Sequence, residues 1–279
     1  MRNAVLGLVA AGTLAAQSVG GPVLGYVVDD GARLRPIYGS AASAHVGAAV
    51  REGVKDSWGE LALLTDGTGV HAGKALEGNW AAVQPGALLD ATGRSLLIVG
   101  EGTAPWRLAL PERALTVRVS ASGARALTLM ADGSLAAWSA GGKAEWRLAA
   151  SVWWSVTYAG ERALAYDPAA NTVLELGTGG ELTVLRKLEG AGGRYELGID
   201  MDGKFAVLLG EQALVAPLGD GPTRTVTLPE GSNRLEAVQG GKAFLLTRDP
   251  ARPMWILDPA REEPLLVIPA LGVEKGARP

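Results

Sequence analysis

Two histidines, His45 and His71, are the chain's entire supply of imidazole. A Ser-His-Asp site needs one such ring, and general acid-base chemistry often uses one. Neither histidine has company, because no G-x-S-x-G elbow occurs. His45 lies in ASAHVG, read as a turn into the first full repeat, and His71 lies in a glycine-rich turn. Both are read as structural or solvated. The stretch Thr68–Ala75, TGVHAGKA, has the outline of a phosphate loop. Thr68 stands where that loop needs glycine, and Ala75 where it needs Ser or Thr. His71 and Lys74 are therefore assigned to a hairpin loop. The runs Gly177–Gly180 and Gly190–Gly193 are assigned to turns, since no helix follows to aim amide dipoles at a phosphate.

Metal chemistry is equally sparse. There is no cysteine, which removes disulfides, thiolate metal sites and a Cys nucleophile. Asp200-Met201-Asp202-Gly203 suggests calcium, yet the further ligands and terminal Glu of an EF-hand loop are absent. Asp202-Gly203 is read as the turn before a strand. The sequence assigns no catalytic, cofactor-binding or metal-ligating residue, and no cofactor.

The elements that would position any site repeat. GARALTLMADGSLAAWS, from Gly123, reads as strand, turn, strand. Leu127 and Leu129 point one way, and Ala126, Thr128 and Met130 the other. Asp132-Gly133 supplies the positive φ angles of a tight hairpin turn. Both faces are apolar or small, so both must be covered. Related phrases start at Gly59, Gly93, Gly160, Gly203 and Gly241, and another strand pair, GYVVDDGARLRPIYG, precedes them. PWRLAL from Pro105 and EWRLAA from Glu145 echo each other. A period of about 40 residues with about four short strands predicts a β-propeller. Stacked blades cover both faces of each sheet, which a single blade cannot do. Of the eight tryptophans, Trp106 and Trp146 recur in register and should fill equivalent gaps between blades. The adjacent Trp153 and Trp154 point to opposite faces of a strand and are read as core.

The predicted fold is all-β, a propeller of four-stranded antiparallel blades. Seven blades are favoured, with six as the alternative. The first strand pair either joins a terminal blade or starts a seventh. Residues 1–17, with Arg2 before an uncharged run and small residues at Ala15 and Ala16, read as a cleaved signal peptide. Residues 22–269 form the propeller domain and 270–279 a flexible tail. No later run is long and apolar enough to span a bilayer. The net charge is -3, with no basic stripe, so nucleic acid is not expected as a partner.

The Gly-strand-DG-strand phrases resemble those of bacterial YVTN-type and WD40-like propellers, although the WD dipeptide and its Gly-His partner are missing. GYVVDDGARLRPIYGSAASAHVG, with the pattern GYV-D-x-LRPI-G, resembles the opening of exported bacterial propellers without an assigned activity. The resemblance implies a fold rather than a reaction. The favoured function is an exported, periplasmic or extracellular, non-enzymatic scaffold binding a protein, glycan or small ligand. One alternative is a propeller hydrolase or lactonase, possibly calcium-dependent. Its ligands would be scattered over several blades, with Glu52, Asn79, Asn171 and Asp200 among the residues with suitable side chains, none of them assigned. A second alternative is an envelope assembly module.

Overall fold

The computed structural model describes residues 21–100, 102–149, 155–189, 195–238, 240–247 and 249–271. The signal peptide read at 1–17, Trp153, Trp154, Gly190–Gly193 and the tail from 272 onward lie outside the described residues. Seven antiparallel sheets follow in chain order. Blade 1 holds β1 (Val23–Val28), β2 (Leu34–Tyr38) and β3 (His45–Val46). Blade 2 holds β4 (Val54–Trp58), β5 (Leu61–Leu64), β6 (Gly69–His71) and β7 (Lys74–Leu76). Blade 3 holds β8 (Ala82–Gln84), β9 (Ala87–Leu89), β10 (Ser95–Ile98) and β11 (Trp106–Ala109). Blade 4 holds β12 (Ala114–Val119), β13 (Arg125–Met130), β14 (Leu135–Ser139) and β15 (Lys143–Leu148). Blade 5 holds β16 (Ser155–Ala159), β17 (Arg162–Asp167), β18 (Thr172–Leu176) and β19 (Leu182–Lys187). Blade 6 holds β20 (Glu196–Ile199), β21 (Phe205–Leu209), β22 (Gln212–Pro217) and β23 (Arg224–Thr227). Blade 7 holds β24 (Glu236–Val238), β25 (Ala243–Leu245), β26 (Met254–Leu257) and β27 (Leu265–Ile268). The chain is a seven-bladed β-propeller.

Blade 4 shows why the sequence folds this way. Along β13 the side chains alternate between two interfaces. Ala126 and Met130 pack with Leu96, Ile98 and Leu108 of blade 3. Leu127 packs with Val156, Ala163 and Ala165 of blade 5. All four of Ala126, Leu127, Thr128 and Met130 are fully buried. The one polar member, Thr128, accepts the indole N–H of Trp138 at 2.8 Å, so the interior keeps no loose hydroxyl there. The two echoing tryptophans sit on the outer strands and reach toward the following blade. Trp106 donates to the carbonyl of Gly123 at 2.8 Å, and Trp146 lies against Gly180.

Three details differ from the sequence reading. The turn after β13 is wider than a two-residue hairpin. Only Gly133 has a positive φ, +80°, while Asp132 accepts the N–H and O–H of Ser134 at 2.9 and 2.6 Å. In blade 3 the phrase begins at Gly86 rather than Gly93, because β9 and β10 are the strands equivalent to β13 and β14. Gly93 closes the turn between them, where Asp90 accepts the N–H groups of Arg94 and Ser95. His45 is the first residue of β3 rather than part of a turn.

The first strand pair makes its own blade with β3, and the last blade is complete from C-terminal strands alone. Among the described residues no sheet mixes strands from the two ends. Blade 1 is also reversed. In the other six blades the first strand is innermost, and from blade 2 to blade 6 each inner strand touches the next. Their starts share one face, here called the upper face, with the turns between second and third strands. β1 takes the inner place beside β4, yet its end meets the start of β4: Val54 donates to the carbonyl of Ala32 at 2.8 Å. Its start meets the end of β24, where a Cβ on Gly25 would lie 3.1 Å from Val238. β1, β2 and β3 thus run like the second, third and fourth strands of an ordinary blade. The ring closes by face packing, with Val27 and Ile37 against Ala243, Leu245 and Met254.

Candidate functional site

A polar cluster sits in the central channel, on the inner strands. An inner strand leaves one row of backbone groups without a sheet partner. Side chains from the preceding blade take up some of them. Gln84 Oε1 accepts the N–H of Val117 at 3.2 Å, and Ser155 Oγ accepts that of Leu197 at 2.8 Å. Across the reversed blade 1, Glu236 Oε1 accepts the N–H of Gly59 at 3.0 Å, and Arg234 donates to the carbonyl of Ser57 at 3.3 Å. Blade 7 is therefore tied directly to blade 2. The Arg234 guanidinium lies 3.6 Å from the centre of the Trp58 ring, and that of Arg118 lies 5.8 Å from it. Such contacts are favourable when the cation is partly desolvated.

Arg118 reaches past blade 5 to Glu196 at 3.2 Å. Burial raises the Glu196 carboxyl above its ordinary value, against the opposing pull of Arg118. The cavity around this pair has a volume of about 550 Å³ and is completed by Val83, Leu115, Thr116, Leu129 and Tyr195. Trp58 lines it and also a lower cavity of about 460 Å³ that contains Glu60, His71 and Ser120. Trp58 thus stands between the two.

The second site is the mouth on the upper face, a cavity of about 510 Å³ where blades 7, 1 and 2 meet. Three segments build it: the β1–β2 turn with Asp29 and Asp30, the start of β4 with Lys55 and Asp56, and the loops of blade 7 with Glu230, Asp249 and Arg252. Asp29 is the anchor of its turn. It accepts N–H groups from Gly31 and Arg33, both at 3.0 Å, and the guanidinium of Arg35 at 2.6 Å. Burial alone would raise its carboxyl, but the bond from Arg35 and the Arg33 N–H outweigh that and hold it below the usual aspartate value. Asp249 accepts the N–H of Ala251 at 2.9 Å. Asp30 and Glu230 are exposed. Of the five carboxylates that line it, Asp29 is paired with Arg33 and Arg35 and Asp249 with Arg252, so the exposed Asp30 and Glu230 give the mouth its outward negative charge.

The residues raised by the sequence are not brought together. His71 pairs with Lys74 across a two-residue turn, Ala72-Gly73, both with positive φ. Its neighbour in the lower cavity, Ser120, bonds through its hydroxyl to Ser122 and the N–H of Arg125, each at 3.3 Å. His45 is exposed and stacks obliquely on Tyr38 at 5.9 Å. Asp200 accepts the N–H groups of Lys204 and Phe205 at 2.7 and 2.6 Å, so it holds its own turn. Asn171 caps another turn at φ +52° and accepts from Tyr166, while Glu52 and Asn79 are exposed in connections of blades 2 and 3. Among the described residues no three His, Asp or Glu side chains form a metal-holding group. No described helix is long and apolar enough to cross a membrane. The sequence reading missed Trp58, Arg118, Glu196 and Arg234. Their signal was available only as charged or aromatic residues in inner strands or, for Arg234, just before one, at positions no local motif marks.

Comparison with known proteins supports the architecture. No family model and no curated protein matches the chain. Among solved structures it is similar to the β-propeller domain of Myceliophteria thermophila Cps50 (Swd1), with a TM-score of 0.50 and 12% identity. The match covers 90% of this chain and 98% of that one. At that identity the likeness is one of fold alone.

Proposed function

We propose that the protein is an exported, non-enzymatic propeller that captures a basic segment of a protein partner at its acidic upper mouth. The observation that carries this reading is the mouth itself. It is concave, it is built from three separate segments, and it presents the exposed carboxylates of Asp30 and Glu230 at its rim. Complementary charge raises encounter rates and fixes the register of a partner more than it adds raw affinity. Propellers present loops on a rigid ring, a common basis for interaction scaffolds. Export is supported by the leader-like residues 1–17, and the bacterial YVTN-type character by the Gly-strand-DG-strand phrases.

The test is crosslinking of wild-type protein and of an Asp30→Lys/Glu230→Lys variant in envelope and soluble fractions. The expected result is a partner found with the wild type, lost in the variant and weakened by salt. Retention of the same partner by the variant overturns the mouth as the docking site. N-terminal sequencing of the mature protein tests export: a start near residue 18 supports it, and an intact Met1 in a soluble cytoplasmic fraction overturns it.

A further inference from the structure

The channel cavity carries a chemistry separate from the mouth, with which it shares no lining residue. Its polar wall is rich in donors, and the hydrogen bonds dictate why. The Val117 amide can only donate, so the Gln84 side chain must turn its carbonyl oxygen to it, leaving the NH₂ group as the free end. Ser155 Oγ is used as an acceptor by Leu197, which leaves its O–H to donate. Arg118 and Arg234 are donor-only, and both are held within 6 Å of the Trp58 ring centre. Among the described lining residues the one carboxylate is Glu196, with one oxygen taken by Arg118, which also donates to the Val117 carbonyl, while Arg234 is paired with Glu236 outside the lining. Beside this wall Leu115 projects from β12 with 46% of its surface exposed, next to Val83 and Leu129. Water-exposed leucine inside a rigid concavity favours an apolar occupant.

We infer that the channel is a binding site for a small organic carboxylate bearing an apolar group. The carboxylate would take the donors on the Arg118 and Gln84 side, and the apolar group would cover Leu115. Charge-assisted hydrogen bonds make an anion preferable to a neutral acceptor of the same shape. The cavity volume of about 550 Å³ accommodates a ligand of this size together with water.

The experiment uses 3-phenylpropionate and its neutral amide as probes of the full-length protein, by calorimetry and tryptophan fluorescence. The acid is expected to bind about tenfold or more tightly than the amide, the usual margin for a hydrogen bond to a charged group. Leu115→Asp alters an exposed side chain, so the fold should survive. It is expected to abolish acid binding while leaving the unliganded melting temperature unchanged. The paired change Arg118→Met/Glu196→Gln removes both charges together and is expected to erase the preference for acid over amide. Equal binding of acid and amide, acid binding that survives in Leu115→Asp, or no binding by folded wild-type protein overturns the inference. Either outcome leaves the mouth reading standing, since neither probe nor variant touches it.

Discussion

Blade 4 and blade 1 solve the same packing problem by different means. Blade 4 has four strands, and β13 feeds one hydrophobic interface from each face. Blade 1 has three strands running in the opposite sense, and its inner strand β1 is flanked by β24 and β4. Its faces are nonetheless well filled, with Val27 and Ile37 fully buried. The difference lies at the channel, where Glu236 and Arg234 bind blade 7 to blade 2 directly. Face packing is indifferent to strand direction, since side chains alternate either way. Near the axis a side chain of one blade serves the unpaired backbone of the next, and where blade 1 intervenes Glu236 and Arg234 substitute by reaching past it to blade 2.

The largest expected effect comes from removing that substitute. Glu236 is 1% exposed, so Glu236→Ala strips a buried acceptor from Gly59 and a counter-charge from Arg234. Breaking a buried pair from one side costs about 3–5 kcal/mol. Glu175→Ala removes an ion pair of blade 5 that lies at the surface, 2.9 Å from Arg162. That change should cost about 0–1 kcal/mol. Urea midpoints of the two variants make the comparison. Similar losses would mean that the ring is held by face packing alone.

Next in size is a contrast between the echoing tryptophans. The Trp106 indole has an acceptor in Gly123, whereas the buried Trp146 N–H has none among the described residues. Trp106→Phe should cost about 1 kcal/mol, the net value of an ordinary hydrogen bond. Trp146→Phe discards a desolvated donor and should be neutral or stabilising once the lost area is allowed for. Melting temperatures that fall by the same amount in both would show that the two gaps are equivalent in chemistry as well as in shape.

Acid titration separates the two ends of the comparison by sign. The Asp29 carboxyl of blade 1 is held below its ordinary value, so the stability it contributes is present above the unfolded aspartate pKa of about 3.9 and is lost as pH falls through the folded value. Glu196 in the channel is raised, mainly by burial. The fold favours its protonated form, so that contribution is present below the unfolded glutamate pKa of about 4.3 and is lost as pH rises through the folded value. Asp29→Asn should flatten the acid side of the stability profile, and Glu196→Gln the side above it. Unfolding midpoints across the range decide, and two variants with parallel profiles would refute the assignment.

Much of this ring was legible in the sequence because its cause is local. Alternating apolar residues on β13, the Asp-Gly turn and the recurrence of the phrase each depend on neighbours a few positions away. The same locality misled at Gly93, where a glycine and a charged residue open a strand just as they do at other phrase starts, one strand too late. Strand direction in blade 1 left no local mark, since GYVVDDGARLRPIYG reads alike whichever place in a blade it fills. The channel cluster was less legible still. Trp58, Arg118, Glu196 and Arg234 come from four blades, and only closure of the ring brings them within reach of one another.

The smallest effect concerns the upper-face turns of the two blades, and it is reciprocal. In blade 4 the left-handed position is Gly133, at φ +80°. In blade 1 the sequence offers Gly31, but the left-handed residue is Ala32, at φ +56°, because Asp29 gathers the N–H groups of Gly31 and Arg33 and pulls the turn around itself. A side chain in that region costs about 1–2 kcal/mol. Gly133→Ala should therefore destabilise by about 1 kcal/mol, as alanine loses the glycine's freedom but also restricts the unfolded chain. Ala32→Gly should move the other way, by a few tenths up to about 1 kcal/mol. Opposite shifts in urea midpoint would confirm that blade 1 tolerates a strained alanine for the sake of its Asp29 anchor. A loss in both would place the strain elsewhere and make Ala32 a packing residue, which its neighbours across the Val54 bond would then have to explain.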